Sequence, residues 1–150
     1  MRTTDDVNRI ATKILDAAFA VHRYIGPGCF ETAYEPCFAY ELRKQGLRFE
    51  RQVSLTIQYE ELLVPDAYFA DFIVEGCVVV ELKAIEQIAR VHSRQLHTYL
   101  RLIGCPLGLL INFGAETMKD GIKRVVNNFP AGTPARALLR GHAPDNAEWQ

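Results

Sequence analysis

Apolar residues follow helical spacing over the first part of the chain, which predicts an amphipathic packing helix. The apolar positions on its inner face are Val7, Ile10, Ala11, Ile14, Ala17, Ala18 and Val21. Asp5 or Asp6 can cap its start. The run Ile25-Gly-Pro-Gly28 ends it, because proline and glycine do not continue a helix.

A second helix is predicted to run to about Gln45 and to be closed by Gly46. Its start has two interpretations. Thr32 and Glu35 have the spacing of a capping box, which would place Pro36 near the first turn, where proline is tolerated. An earlier start would place Pro36 inside the helix.

Alternation of apolar and polar residues over residues 52–59 predicts a half-buried strand. Glu60-Glu61 turns the chain, and Pro65-Asp66 marks a second break. Two strongly apolar strands follow, over about residues 69–74 and 77–83. Three successive strands predict an antiparallel meander.

A third helix is predicted over about residues 91–103, ended by Gly104. Residues 107–112 read as a buried strand, and residues 118–129 as a last strand or a short helix. The order helix, three strands, helix, strand predicts an α/β fold with a mixed sheet. From residue 130 to residue 150, proline, alanine, glycine and arginine dominate, and we expect a flexible tail.

Composition narrows the class of protein. A chain of 150 residues with 49% hydrophobic content is sized for one compact domain. The net charge of −1 gives no global signal for nucleic-acid binding, so such binding would need a local patch or bound cations. Four scattered cysteines without a C-x-x-C pair indicate reduced thiols and a cytoplasmic protein. The sequence has no apolar run of membrane-spanning length, and no membrane association is expected.

Charged residues interrupt the two apolar strands. Glu81 and Lys83 lie two residues apart, so they project from the same face of one strand. Asp71 stands in the preceding strand, and the turn at Glu75-Gly76 decides which way it points. A two-residue loop would point Asp71 away from Glu81, whereas a three-residue loop or a bulge would bring both carboxylates to one face.

Two interpretations of this charged group stay open. Two converging carboxylates with a lysine make a hard-oxygen site suited to Mg²⁺ or Mn²⁺, with the lysine near the attacked phosphate. This metal site requires the odd loop or the bulge. The alternative is a buried ion pair between Glu81 and Lys83 with a structural role.

The third helix carries a further polar pair. Gln95 and Tyr99 lie about 40° apart in helical projection, inside the apolar arc, so we expect both to face the protein. Gln95 could orient a carboxylate or a metal-bound water. Alternatively, Gln95 caps a strand and Tyr99 is a core residue. The opposite side carries a basic stripe, which is typical of a solvated face but could steer a phosphate backbone. The stripe consists of Arg90, Arg94, His97 and Arg101.

These positions together resemble the bacterial GxxExxY proteins, a branch of the PD-(D/E)XK nuclease superfamily. The naming motif stands as Gly28-Cys-Phe-Glu31-Thr-Ala-Tyr34. Asp71 with Glu81-Leu-Lys83 resembles the catalytic signature of the superfamily. Gln95-Leu-His-Thr-Tyr99 resembles the Q-x-x-x-Y motif of RecB-like exonucleases. The resemblance spans about residues 7–128.

The resemblance implies a single restriction-endonuclease-like domain with an αβββαβ core, over residues 1–129. It also implies a metal-dependent nuclease that hydrolyses phosphodiester bonds, of DNA rather than RNA. The implied ligands of Mg²⁺ or Mn²⁺ are Asp71, Glu81 and Glu31.

The resemblance also implies roles for the remaining motif residues. Lys83 would position the attacking water and stabilise charge on the phosphate, Gln95 would orient it, and Tyr99 would support the site or touch the substrate. Two departures from the pattern concern substrate contact and the placement of Glu31. Phe69 stands where relatives commonly have an arginine, and Pro36 interrupts the second helix.

An alternative function is a catalytically silent nuclease fold that binds nucleic acid or a protein partner. Asp71, Glu81 and Lys83 argue against it, because a retired site has little reason to keep charged groups in apolar strands. A domain of this size could also form a homodimer that engages two strands of nucleic acid.

Overall fold

The computed structural model describes residues 2–127, which form three α-helices, one 3₁₀ helix and five strands. The helices are α1 (Thr4–Ile25), α2 (Glu31–Lys44) and α3 (Arg90–Ile103), and the 3₁₀ helix is Lys119–Gly121. The strands are β1 (Phe49–Tyr59), β2 (Leu62–Val74), β3 (Val78–Lys83), β4 (Leu107–Asn112) and β5 (Ile122–Val126). The predicted tail over residues 130–150 lies outside the described residues.

The cap of α1 differs from the prediction of Asp5 or Asp6. Thr3 is the N-cap, and its Oγ1 accepts a hydrogen bond from Asp6 N at 3.1 Å. Asp6 Oδ2 in turn accepts one from Thr3 N at 2.9 Å. In such a capping box the acidic residue occupies the third helical position, so Asp6 closes the cap from within the helix.

α2 begins at Glu31, the earlier of the two predicted starts. Phe30 is the N-cap, and no side-chain hydrogen bond caps this helix. The capping box predicted from Thr32 and Glu35 is therefore wrong, because both residues are already helical. Pro36 lies inside the helix.

The five strands form one sheet in the order β1-β2-β3-β4-β5. β3 and β4 are parallel, and the other neighbours are antiparallel. α3 connects β3 to β4, because parallel neighbours cannot be joined by a tight turn. The predicted order of helix, three strands, helix and strand is confirmed, as is the single α/β domain of restriction-endonuclease-like type.

Helices cover the sheet on both faces. α1 and α2 cover one face, where the core includes Ile14, Phe38, Phe72, Val80 and Leu109. α3 covers the other, where the core includes Ala70, Val79, Leu96, Leu100 and Leu110. Every residue of β4 is buried, as its continuous apolar run predicts.

The predicted break at Pro65-Asp66 is a bulge inside a continuous β2. Leu55 pairs with Tyr68 and Ile57 pairs with Val64, so three residues of β2 lie opposite one residue of β1. The bulge leaves Pro65, which has no N–H to donate, outside the ladder. The strand therefore continues through a sequence that normally ends one.

Candidate active site

The β2–β3 loop contains three residues, Glu75, Gly76 and Cys77, because Val74 pairs with Val78. Glu75 and Gly76 have φ values of 50° and 65°, in the left-handed region that such a reversal needs. The loop length is therefore odd. It meets the geometric condition under which Asp71 and Glu81 share a face.

Asp71 and Glu81 lie opposite each other just beyond the paired residues Phe72 and Val80. Asp71 N donates a hydrogen bond to Glu81 Oε1 at 3.0 Å. Leu82 N donates one to Asp71 Oδ2 at 2.9 Å. Each carboxylate thus takes the place of a carbonyl in the ladder, so side chains rather than backbone join β2 to β3 at this level.

Burial makes it costly to ionise both carboxyl groups. Glu81 is only 7% exposed, and this burial together with nearby Asp71 raises its pKa to about 8. Burial also raises the pKa of Asp71, although hydrogen bonds from Leu82 and Gln52 oppose the rise. The charge of Lys83 opposes it in both groups. A bound cation would favour the charged forms of both.

Lys83 is the last residue of β3, and its backbone is hydrogen-bonded to the residue that follows β4. Phe113 N donates to Lys83 O at 2.8 Å. Just beyond it, the buried Asn112 side chain accepts from Ile85 N at 3.0 Å and donates to Ile85 O at 2.8 Å. Within residues 2–127, no ion pair joins Lys83 to Glu81, so the structural pair considered above does not form.

The Gly28–Tyr34 motif has two parts with different positions. Tyr34 anchors the loop before α2, and Glu31 supplies a carboxylate near the site. The Tyr34 hydroxyl donates to Gly26 O and accepts from Cys29 N at 3.2 Å, which ties down the loop before α2. Its ring stacks on Phe113 with centroids 4.6 Å apart. Glu31, in the first turn, is close enough to the site for its pKa to be raised by burial and by Asp71, against the charge of Lys83.

α3 brings Tyr99 to the site but leaves Gln95 in solvent. Tyr99 is buried and packs edge-on against Tyr68, with centroids 5.0 Å apart. Its pKa is raised by burial and by the nearby Glu81. The prediction that Gln95 faces the protein is wrong, because the buried face of α3 begins only at Leu96. In the predicted basic stripe, Arg90 and Arg94 are exposed and the other two members are half-buried.

The family can now be stated. Residues 8–125 match the profile of the PD-(D/E)XK nuclease superfamily. The chain belongs to this superfamily. No curated protein and no solved structure matches the chain significantly. No helix within residues 2–127 combines the length and apolar character needed to cross a membrane.

Two residues of this nuclease-superfamily site were not singled out from the sequence. Gln52 Nε2 donates to Asp71 Oδ1 and to Glu35 Oε1, at 3.1 Å each. Glu35 also pairs with Arg51, whose Nε lies 3.5 Å away. Gln52 therefore links the carboxylate of β2 to the first turns of α2.

The sequence contained a signal for one of these two residues. Glu35 follows Glu31 by four residues, so a helix that begins at Glu31 places both on one face. Gln52 carried no signal, because a polar residue at the start of an alternating strand is ordinary. Its φ of 49°, uncommon for a residue with a side chain, is visible only in the structure.

The carboxylate oxygens suit a hard divalent cation, although the side chains do not form a complete coordination site within the described residues. Asp71 and Glu81 offer carboxylate oxygens, which Mg²⁺ and Mn²⁺ prefer. Glu31 is the nearest further carboxylate that the sequence predicted. In the described part of the chain, no three His, Cys, Asp or Glu side chains are arranged closely enough to hold an ion. The carboxylates fit such an ion chemically, and Asp71, Glu81 and Glu31 are the residues that would hold it.

Proposed function

We propose that this chain is a metal-dependent nuclease that hydrolyses phosphodiester bonds. The observation that carries the proposal is the pairing of Asp71 and Glu81 where side chains replace the β2–β3 ladder, with Lys83 two residues further along β3. Membership of the PD-(D/E)XK nuclease superfamily supports the same function.

Asp71, Glu81 and Glu31 are the proposed ligands of Mg²⁺ or Mn²⁺. When bound, such an ion lowers the pKa of a coordinated water and neutralises charge that develops on the phosphate. The hydrogen bonds from Asp71 N and Leu82 N hold one oxygen of each carboxylate. Gln52 holds the second oxygen of Asp71 and so limits the rotation of that carboxylate.

Three further residues act on the water and the phosphate in this proposal. Lys83 positions the attacking water and stabilises charge on a phosphate oxygen, since its ammonium offers three donors and no acceptor. Gln95 is exposed and orients the water or phosphate from the solvent side. Tyr99 supports the site from α3, where its ring packs edge-on against Tyr68.

Several finer points remain predictions from the sequence. They are the preference for DNA over RNA, the GxxExxY branch, the cytoplasmic location, and a homodimer or a protein partner. The odd β2–β3 loop, and the absence within residues 2–127 of an ion pair between Lys83 and Glu81, favour the nuclease over the structural interpretation of the same residues.

The test combines metal binding with cleavage. Mn²⁺ is titrated by calorimetry into the wild type and into Asp71→Ala/Glu81→Ala, and the same samples are incubated with labelled single-stranded and double-stranded DNA and RNA. Asp16→Asn is the matched control, because it removes one exposed acid on α1, away from the proposed site.

Mn²⁺ binding and cleavage by the wild type and by Asp16→Asn, both lost in the double variant and in chelator, are the expected results. Cleavage that persists in the double variant would contradict the assignment of the ligands. Binding of nucleic acid by a wild type that never cleaves it would favour the silent binding protein.

A further inference from the structure

We propose that the exposed rings of Phe30 and Phe69 stack on unpaired bases, so that single-stranded nucleic acid is the substrate of this site. The inference rests on the proposed function and names its substrate class. It starts from two phenyl rings that neither fill the core nor supply a capping hydrogen bond. Phe30 directly precedes Glu31, and Phe69 lies two residues before Asp71.

Phe69 is exposed because β2 changes near Asp71 which of its faces packs against which core. Phe72 packs in the core under α1 and α2, whereas Ala70 packs in the core under α3. Residues two apart on a strand normally share a face, so the strand changes face at Asp71. Tyr68 packs on the α3 side with Ala70. Phe69 therefore points to the α2 side, where it is 49% exposed.

Phe30 lies at the start of α2, which covers the same face of the sheet. It is the N-cap of α2, a position where serine, threonine, aspartate or asparagine would stabilise the helix by a hydrogen bond. It is 84% exposed and directly precedes Glu31. A phenyl ring at this position supplies neither the cap nor the core, and it is free to contact a ligand bound beside Glu31.

The charges around the site disfavour binding of the phosphate backbone of a double-stranded nucleic acid. Within residues 2–127, the site has four carboxyl groups and two cationic side chains. The carboxyl groups belong to Glu31, Glu35, Asp71 and Glu81, and the cations are Lys83 and Arg51, which is paired with Glu35. The arginines of the α3 stripe lie about 180° to 220° around the helix from Tyr99, so they face away from the carboxylates. Duplex binding draws most of its affinity from cationic contacts to phosphates. Single strands also need cationic contacts to their phosphates, but stacking on aromatic rings adds affinity that a paired duplex does not gain.

The spacing along β2 links stacking to cleavage. Two residues of a strand span about 7 Å, so a base resting on Phe69 leaves its phosphate at the level of Asp71. Only a base that is free of its complementary strand can lie flat on a phenyl ring. The two rings therefore select unpaired nucleotides at the point where the phosphate is attacked.

The test measures stacking and cleavage separately. Single-stranded oligonucleotides with 2-aminopurine at successive positions are titrated in chelator with the wild type, Phe30→Ala, Phe69→Ala, the double variant and Phe69→Trp. Tyr24→Ala is the matched control, since Tyr24 is 93% exposed at the end of α1. Both phenylalanines are exposed, so their removal leaves the core intact.

We expect 2-aminopurine fluorescence to be quenched by the wild type, and affinity for single strands to fall about tenfold for each ring removed. Phe69→Trp and Tyr24→Ala retain binding. With metal present, KM for single strands rises in the alanine variants while kcat changes little, because the rings hold the substrate and take no part in the chemistry.

The outcomes separate this inference from the proposed function. Cleavage of single strands with unchanged KM in the alanine variants would overturn the inference and leave the nuclease standing. A wild type that prefers duplex would also overturn it. Quenching that depends on both rings without any cleavage would support the stacking and overturn the nuclease.

Discussion

At the scale of single residues, Glu81 is a buried carboxyl group that lowers the stability of the fold when it is ionised. Its pKa rises from 4.5 to about 8 through burial and the nearby Asp71. The stability that this carboxyl group allows is complete below pH 4.5 and is lost as the pH rises through 8, because the folded state then has to accept a buried charge. Without divalent cations, the folded protein is therefore expected to weaken from pH 5 to pH 8.

Glu81→Gln is predicted to remove this pH dependence. The glutamine is neutral at every pH and keeps an oxygen that can accept the hydrogen bond from Asp71 N. We expect the variant to exceed the wild type in free energy of unfolding by about 1–3 kcal/mol at pH 8 in chelator, and by little at pH 5. Urea titrations at several pH values measure this, and parallel profiles for the two proteins would contradict it.

Gln52 is predicted to act as a positioning residue for Asp71. Gln52→Ala and Gln52→Gly both remove the hydrogen bonds to Asp71 and Glu35, and we expect kcat and Mn²⁺ affinity to fall about tenfold or more. The glycine variant serves as the control for backbone strain, because glycine adopts a φ of 49° without cost. It should therefore be more stable than the alanine variant and equally impaired. Recovery of activity in the glycine variant would show that the amide has no role.

At the scale of elements, the β2–β3 loop decides whether a site exists at all. A two-residue loop would separate the carboxylates onto opposite faces, so the left-handed conformation at Gly76 matters. We predict that Gly76→Ala lowers the free energy of unfolding by about 1 kcal/mol, because a Cβ disfavours a φ of 65°.

Gly28→Ala is the control for this loop variant. Neither glycine has another atom within 4 Å of a built Cβ, but Gly28 does not adopt the left-handed conformation. We expect its stability to be unchanged or slightly raised. Equal losses in the two variants, measured by thermal and urea unfolding, would show that φ is not the cause.

Element boundaries depend on local contacts that the sequence pattern does not contain. The start of α2 is set at Phe30 without a capping hydrogen bond, and Tyr34 holds the loop before it. β2 continues through Pro65 because a bulge takes that residue out of the ladder. The inward-facing arc of α3 was predicted correctly for Tyr99 and wrongly for Gln95, because helical spacing shows the direction of a side chain but not whether another element covers it.

At the scale of the whole molecule, the two helical layers leave the site at the edge of both. α1 and α2 close one face of the sheet and α3 closes the other, and the carboxylates lie where β2 passes from one core to the other. This placement buries Glu81 while leaving Glu31, Gln52 and Gln95 within reach of solvent. Solvent therefore reaches the side chains beside two carboxyl groups, of which Glu81 is buried and Asp71 half-buried.

The sequence by itself determined the three α-helices, the first four strands, their order, the mixed sheet, and the candidates Asp71, Glu81, Lys83 and Tyr99. Periodicity and charged residues in apolar strands are local properties, and a linear pattern records them. Only the tertiary structure decided the parity of the β2–β3 loop, the roll of β2 at Asp71, and the link from Gln52 to Glu35. These depend on backbone conformation at single residues and on contacts between distant segments, neither of which leaves a periodic trace in the chain.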